Sequence, residues 1–235
     1  MNPKAKQFTS HGIVLRRTNY GEADRIITFI TPQHGKLSAL AKSVRKQKSK
    51  LAGGIELFSI SELSFIAGKS NINTLISSRL VKYYGNIVKN LDRTNTGYEF
   101  IKILNKVTED NPEEAYYNLL NQAFAGLDDT ALPLELVLLW FNLQLLKLAG
   151  HSPNLHTDLA GDKLEGKHTY NFNYDQMCFS AQNGNGAFTP DHIKFLRLGF
   201  GAARPQILGR VQSGEALAAQ LAALVKTMLQ AHLRL

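Results

Sequence analysis

The stretch GIVLRRTNYGEADRIITFITPQHGKLSALAK, residues 12–42, decides how this chain is read. Its β-branched and aromatic residues fall in short runs separated by small turn sequences, the pattern of half-buried strands joined by hairpins. Asn19-Tyr20-Gly21 and Gln33-His34-Gly35 supply the turns, because glycine enters the left-handed backbone region without a Cβ clash. Three strands are expected, Ile13 to Thr18, Arg25 to Thr31 and Lys36 to Lys42. Working outward, two more runs fit the same period: Ile55 to Phe65 and Asn73 to Val81, joined through Gly68-Lys69-Ser70-Asn71. Five short strands with one longer connection near the middle suit a small closed barrel, since closure leaves no unpaired edge. The N-terminal domain, residues 1–82, is therefore expected to be a five-stranded OB-type barrel.

Past Tyr83 the period changes from two to about 3.6. Thr96 and Glu99 stand at capping-box spacing before a face of Phe100, Ile101, Leu104 and Val107. Asn111, Pro112 and Glu114 announce a second helix with an inner stripe of Tyr116, Leu119, Leu120, Ala123, Phe124 and Leu127. Pro133 opens a third, apolar nearly all round from Leu134 to Leu148, and Gly150 is placed to end it. Residues 151–189 lose periodicity and read as an irregular subdomain or a pair of small hairpins. Helices resume over Pro190 to Leu198 and Ser213 to Ala231. The fold class is α+β: a barrel over 1–82, then a mainly helical domain over 83–235 that includes the irregular 151–189.

The chain has 235 residues and a formal net charge of +8. Residues 1–50 hold 11 Lys and Arg against 2 acids, so the rest of the chain is close to neutral and one end alone is a polyanion-binding candidate. Within it, Lys42-Ser43-Val44-Arg45-Lys46-Gln47-Lys48-Ser49-Lys50 places five cations in nine residues without an acid. Such a run is either a solvated loop or a surface for phosphates. By the period of two, Lys36 and Lys42 fall on one face of the preceding strand, which would extend the positive surface. The nucleic-acid contacts expected are Lys36, Lys42, Arg45, Lys46, Lys48, Lys50 and, in the connection between the last two strands, Lys69. Single-strand binding also needs aromatic faces for bases to stack on. Tyr20, in the first turn, and Phe65, near the end of the fourth strand, are the candidates.

Four linked segments carry a resemblance: Tyr20-Gly21-Glu22-Ala23-Asp24-Arg25-Ile26, then TPQHGKL over Thr31 to Leu37, then Leu40-Ala41-Lys42, then Lys48-Ser49-Lys50-Leu51-Ala52-Gly53 with Phe58 after it. In this order over about 80 residues they resemble the N-terminal domain of the RecO family. The helical half resembles that family more loosely, in helix order and in the Leu-Ala-Gly ending at Gly150. The resemblance implies an OB barrel joined to a helical domain, binding of single- and double-stranded DNA, and strand annealing without nucleotide hydrolysis. It also implies partnership with RecR and with single-strand-binding protein to load RecA. The acidic, phenylalanine-ended tail of single-strand-binding protein would need an apolar pocket rimmed by cations, for which Lys102, Lys106 and Lys147 near helix ends are the candidates. The chain departs from the family at Leu57, where proline usually precedes the phenylalanine.

Many family members also carry four cysteines for zinc in the region corresponding to Leu155 through Phe188, where this chain has Cys178 alone. His151, His156, His168 and His192 with Asp158 match no closed tetrahedral spacing, so no metal and no cofactor are expected. An enzyme is not expected either. Gly184-Asn185-Gly186 and Gly199-Phe200-Gly201 lack a Walker lysine and read as loops. Glu22 and Asp24 have no third acid nearby and read as hairpin residues. The most apolar stretch, Leu132 to Ala149, is interrupted by polar residues and shorter than a bilayer span, and Met1 to Ser10 leads into no apolar run. A cytoplasmic, nucleoid-associated protein without a membrane partner is the expectation. Composition leaves open a second class, an RNA-binding OB protein of translation or ribosome assembly.

Overall fold

A computed structural model describes residues 6–68, 71–108 and 114–233. The chain forms two compact units, Met1–Asp129 and Thr130–Leu235. In the first, β1 (Gln7–Tyr20), β2 (Asp24–Thr31), β3 (Gly35–Ala41), β4 (Ser59–Ile66) and β5 (Ile72–Tyr83) close into a barrel of order β1-β2-β3-β5-β4. That is the Greek-key topology of an OB barrel. All its neighbours are antiparallel except β3 and β5, which pair in parallel over Ser38–Leu40 and Ile72–Thr74. Alternation fills the interior: Ile27 and Phe29 of β2, Ala39 and Ala41 of β3, Leu63 and Phe65 of β4 and Leu75 of β5 share one buried cluster. The expected turns hold, with Gly21 at φ 55° and Gly35 at φ 60°. A bulge falls between Val14 and Arg16, and Ile13, Val14 and Leu15 are all buried, because the two helices that follow the barrel strands pack against β1.

Several strand bounds differ from the expectation. The third strand ends at Ala41, so Lys42 belongs to the following loop and shares no strand face with Lys36. The fourth begins at Ser59, because residues 55–58 form a turn in which Phe58 adopts φ 57°. A bulky residue in the left-handed region costs about 1–3 kcal/mol and persists only where its surroundings fix it. Here the Phe58 ring is held edge-on by Tyr98 at 5.3 Å and Phe124 at 5.4 Å.

Those two partners lie on α1 (Leu91–Val107) and α2 (Glu114–Asp128), which pack with β1 and β2. The helices thus belong to the barrel's compact unit. The division after residue 82 marks where strands give way to helices, whereas packing divides the chain after Asp129. The start expected at Thr96 is corrected: α1 begins five residues earlier, where Asn90 accepts a hydrogen bond from the Arg93 amide at 3.0 Å, and Thr96 and Glu99 are interior positions. The expected cap at Asn111 and Pro112 lies outside the described residues. Tyr84, buried against Phe124 and hydrogen-bonded to Asn121, has its phenol pushed well above its ordinary range, first by burial and then by Tyr117 and Asp128.

In the second unit, α3 (Leu134–Leu148) is the centre, packed by α4 (Pro190–Gly201) and α5 (Gly214–Leu233). It ends as expected: Gly150 takes φ 80°, its amide donates to Lys147 O, and the His151 amide donates to Leu146 O, a Schellman closure. The region expected to be irregular is an ordered three-stranded sheet of β6 (Asn154–Asp158), β7 (Thr169–Asn173) and β8 (Cys178–Gln182), in the order β6-β8-β7. Phe179 anchors it, with Tyr170, Phe172 and Phe188 edge-on around its ring. Gly199-Phe200-Gly201 lies inside α4 and not in a loop; Gly199 is needed there because a Cβ would stand 2.5 Å from Leu143 Cδ1. Among the described residues no helix is long and apolar enough to cross a membrane.

Gly97 gives the first test. A methyl group there would stand 2.6 Å from Phe58 Cε1. Helix propensity alone favours alanine over glycine by about 1 kcal/mol, but overpacking costs about 1–3 kcal/mol and acts on the ring that holds the strained turn. Gly97→Ala should lower stability in urea denaturation, whereas Gly201→Ala, which meets nothing within 4 Å, should leave it equal or raise it by up to about 1 kcal/mol.

Candidate nucleic-acid interface

Lys42, Arg45, Lys46, Lys48 and Lys50 are all exposed on the loop after β3. The loop is nonetheless built. Val44, in the middle of the charges, is 3% exposed and sits in the barrel core, so its neighbours are turned outward. Ser43 takes φ 53°, and its amide donates to Asp24 Oδ1 at 2.6 Å, while the Arg45 amide donates to Ala23 O at 2.9 Å. Amides of Lys46 and Ser49 then donate to Ser43 O and Lys46 O, closing successive turns. At the far end Ser78 Oγ donates to Leu51 O at 2.8 Å, and Leu51 packs on the core. Asp24, weighed from sequence as a hairpin residue, thus fixes the basic loop to the hairpin between β1 and β2. Glu22 lies in the turn of that hairpin.

Ion pairs among the described residues include Arg17–Glu56, Arg79–Glu62, Lys102–Glu99 and Lys194–Asp191. None involves the five loop cations, which have no acidic partner among the described residues. Two residues extend the same region. Tyr20 is 55% exposed at the tip of the β1–β2 hairpin. Arg25, which sequence reasoning passed over as a binding residue, pairs in register with Ala41 at the loop's root and donates from Nε to Asn19 Oδ1 at 3.1 Å.

Other expected contacts are redirected. Lys36 is half-buried, and its ammonium donates to Asn105 O at 3.2 Å and to Thr108 O. It caps the carboxyl end of α1, where the helix dipole favours a cation, and does not join the loop. Phe65 is fully buried in the barrel core and offers no stacking face. Lys69 lies outside the described residues. Of the lysines expected at a partner pocket, Lys102 is exposed beside Glu99 at 3.7 Å and Lys106 is on the same helix, in the first unit. Lys147 is in the second unit, where its ammonium donates to Phe200 O at 3.0 Å near the end of α4.

His192 and His151 have local roles. His192 Nδ1 accepts from the Thr189 amide at 3.0 Å and its Nε2 meets Gln220 Oε1 at 2.6 Å, completing the cap of α4. His151 stacks on His232 at 4.5 Å. Asp158 Oδ1 accepts the amides of Ala160 and Asp162, both at 2.9 Å. Among the described residues no three of His, Cys, Asp and Glu come together as a metal site.

A closed barrel of this topology, carrying an anchored row of cations with no acidic partner among the described residues, belongs to the class of OB-fold proteins. Comparison with known proteins gives the family. The model described as "Recombination protein O N terminal" matches residues 4–84, and "Recombination protein O C terminal" matches residues 93–235. A DNA repair protein RecO of Dehalococcoides mccartyi is 35% identical over 153 residues, covering 65% of this chain and 60% of that protein. The DNA repair protein RecO of Moorella thermoacetica is 35% identical over 149 residues, 63% of this chain and 55% of its own length. That of Gloeothece citriformis is 30% identical over 155 residues, 65% and 54%. The chain thus spans less than two thirds of each of these relatives. It belongs to the RecO family.

Two substitutions separate loop anchoring from charge. Asp24→Ala removes a hydrogen bond to a charged acceptor, a loss of about 1.5 kcal/mol. The loop should then open more often, and trypsin should cut after Arg45, Lys46 or Lys48 about tenfold faster than in the parent. Lys36→Met should lower stability in urea by about 1 kcal/mol through the lost cap and leave cleavage of the loop unchanged.

Proposed function

We propose that this chain is a non-enzymatic mediator of DNA repair and recombination. It binds single- and double-stranded DNA, promotes annealing of complementary strands and, with RecR, helps to load RecA onto DNA coated by single-strand-binding protein. One observation carries the reading: five solvent-facing cations on a loop tied to the barrel, with no acidic partner among the described residues. Family membership supports DNA as the polyanion, since the relatives are DNA repair proteins.

In this reading Lys42, Arg45, Lys46, Lys48 and Lys50 hold phosphates, with Tyr20 as a stacking face beside them. Two strands held on one positive surface repel each other less, which speeds pairing without any bond being made or broken. No catalytic residue and no cofactor are assigned. The tail of single-strand-binding protein, acidic and apolar at its end, is assigned to the helical part, with Lys102 and Lys106 as exposed candidates; Lys147, committed to α4, is a weaker one. The protein acts in the cytoplasm at the nucleoid.

Salt dependence tests the charge. Five phosphate contacts on a single strand give a slope of log affinity against log salt of about −3.5, from about −0.7 per contact. Replacing Arg45, Lys46 and Lys48 together with alanine should flatten it by about 2, while Lys36→Met should leave it unchanged. A triple variant with the parent's slope would overturn the loop assignment. Tighter binding to structured RNA than to single-stranded DNA at equal salt would favour the RNA-binding class instead.

A further inference from the structure

The barrel carries a second feature, a groove that runs along β3 from the turn before it. Where β3 and the start of β5 diverge from their short parallel pairing, a groove of about 480 Å³ opens in the wall. Phe8, Ile26, Leu37 and Ile72 give it apolar walls, and His34, Asn71 and Asn73 lie along it with Ser38 and with Lys36, whose ammonium is held by Asn105 O and Thr108 O.

Its aromatic side is rigid. Phe29 meets Phe65 edge-on at 5.9 Å, Phe65 stacks on Phe8 at 5.1 Å, and Phe8 meets the exposed His34 ring at 4.7 Å. A column of rings thus runs from the barrel core to solvent and ends in the groove. The turn that holds His34 is fixed as well: its amide donates to Thr31 Oγ1 at 3.1 Å, Thr31 Oγ1 donates to Gly35 O, and Ser10 Oγ donates to Gln33 Oε1 at 2.8 Å. Asn73 is oriented by the Gly68 amide and by Ser38 O. A flat, preordered aromatic beside amide groups suits a planar heterocycle with polar edges better than an aliphatic side chain. Continuity with the loop chooses the ligand: β3 alone separates His34 from Lys42, a path of about 25 Å at 3.3 Å per residue.

We propose that this groove seats a nucleobase of a single strand, stacked on the His34 ring, while the phosphates that follow run along β3 to the basic loop. The proposal rests on the DNA-binding reading and adds to it a contact that duplex DNA, whose bases are already stacked, does not make.

The test compares a thymidine oligomer with an abasic oligomer of equal length, so that phosphate number is constant. The parent should bind the thymidine oligomer at least tenfold more tightly, because stacking on an aromatic side chain contributes about five- to a hundredfold per base. His34→Ala, at an exposed position, should reduce that preference at least about fivefold without changing the salt slope, and His34→Phe should retain it. An oligomer carrying 2-aminopurine should be quenched more strongly by the parent and by His34→Phe than by His34→Ala, in which Tyr20 remains to stack. Equal affinity of the parent for both oligomers, or a preference untouched by His34→Ala, overturns the groove while leaving the loop assignment standing. Absence of salt-dependent binding to either oligomer overturns both.

Discussion

Val44 is the residue on which the basic surface depends. Five cations in nine residues repel one another, and a loop free to move would spread them into solvent. Burying one apolar side chain among them, in a core that also holds Ala41 and Ile55, fixes the loop at its centre. The amides on either side of Val44 are then satisfied by Asp24 Oδ1 and Ala23 O. Both acceptors belong to the β1–β2 hairpin or its edge, so the loop and the hairpin that carries Tyr20 form one framework. Charge is concentrated by burial of an apolar residue, and the entropic cost of ordering it is met in folding before any ligand arrives.

The remaining basic residues divide by what their ammonium or guanidinium groups meet. Lys36 caps α1 through Asn105 O and Thr108 O. Arg93, nearly buried, donates to Leu127 O and Asp129 O at the end of α2, and Lys147 donates to Phe200 O near the end of α4. Each is placed at the negative end of a helix, where unsatisfied carbonyls and the dipole favour a cation. These are structural charges, satisfied by backbone carbonyls and of little use to a phosphate. Among the described residues the loop cations have no such partner, and that difference, more than the net charge, is what the proposed phosphate contacts rest on.

The sequence made the barrel legible because its signals are local. Period-two alternation from Ile13 onward, and glycine at positions 21 and 35, specify strands and hairpins within a few residues of themselves. The Schellman end of α3 at Gly150 was legible for the same reason. What escaped is non-local. The Lys36 ammonium meets carbonyls 69 and 72 residues away, so spacing along its own strand said nothing of its fate. Phe65 has the composition of a stacking face, yet the pairing of β4 with β1 turns it inward. The three-stranded sheet at 154–182 lacks periodicity because its strands are five residues long and rest on one aromatic, Phe179. One signal was present and unused: Val44, a lone apolar residue in a run of charges, is what an anchored loop looks like, whereas a solvated loop has no need of it.

Rigidity of the interface bears on the proposed annealing. Phosphate contacts are indifferent to sequence, so a surface made of them alone gives two strands the same treatment whether or not they are complementary. Complementarity is then judged by the bases themselves, provided that most of them remain free to pair. In the proposed reading, a row of cations on one loop, with stacking at a hairpin tip and in one groove along β3, would leave most bases of a bound strand exposed. A barrel that stacked every base along its face would protect single strands and oppose pairing. Keeping Phe29 and Phe65 in the core and assigning stacking to Tyr20 and His34 therefore fits a protein that presents single strands better than one that stores them.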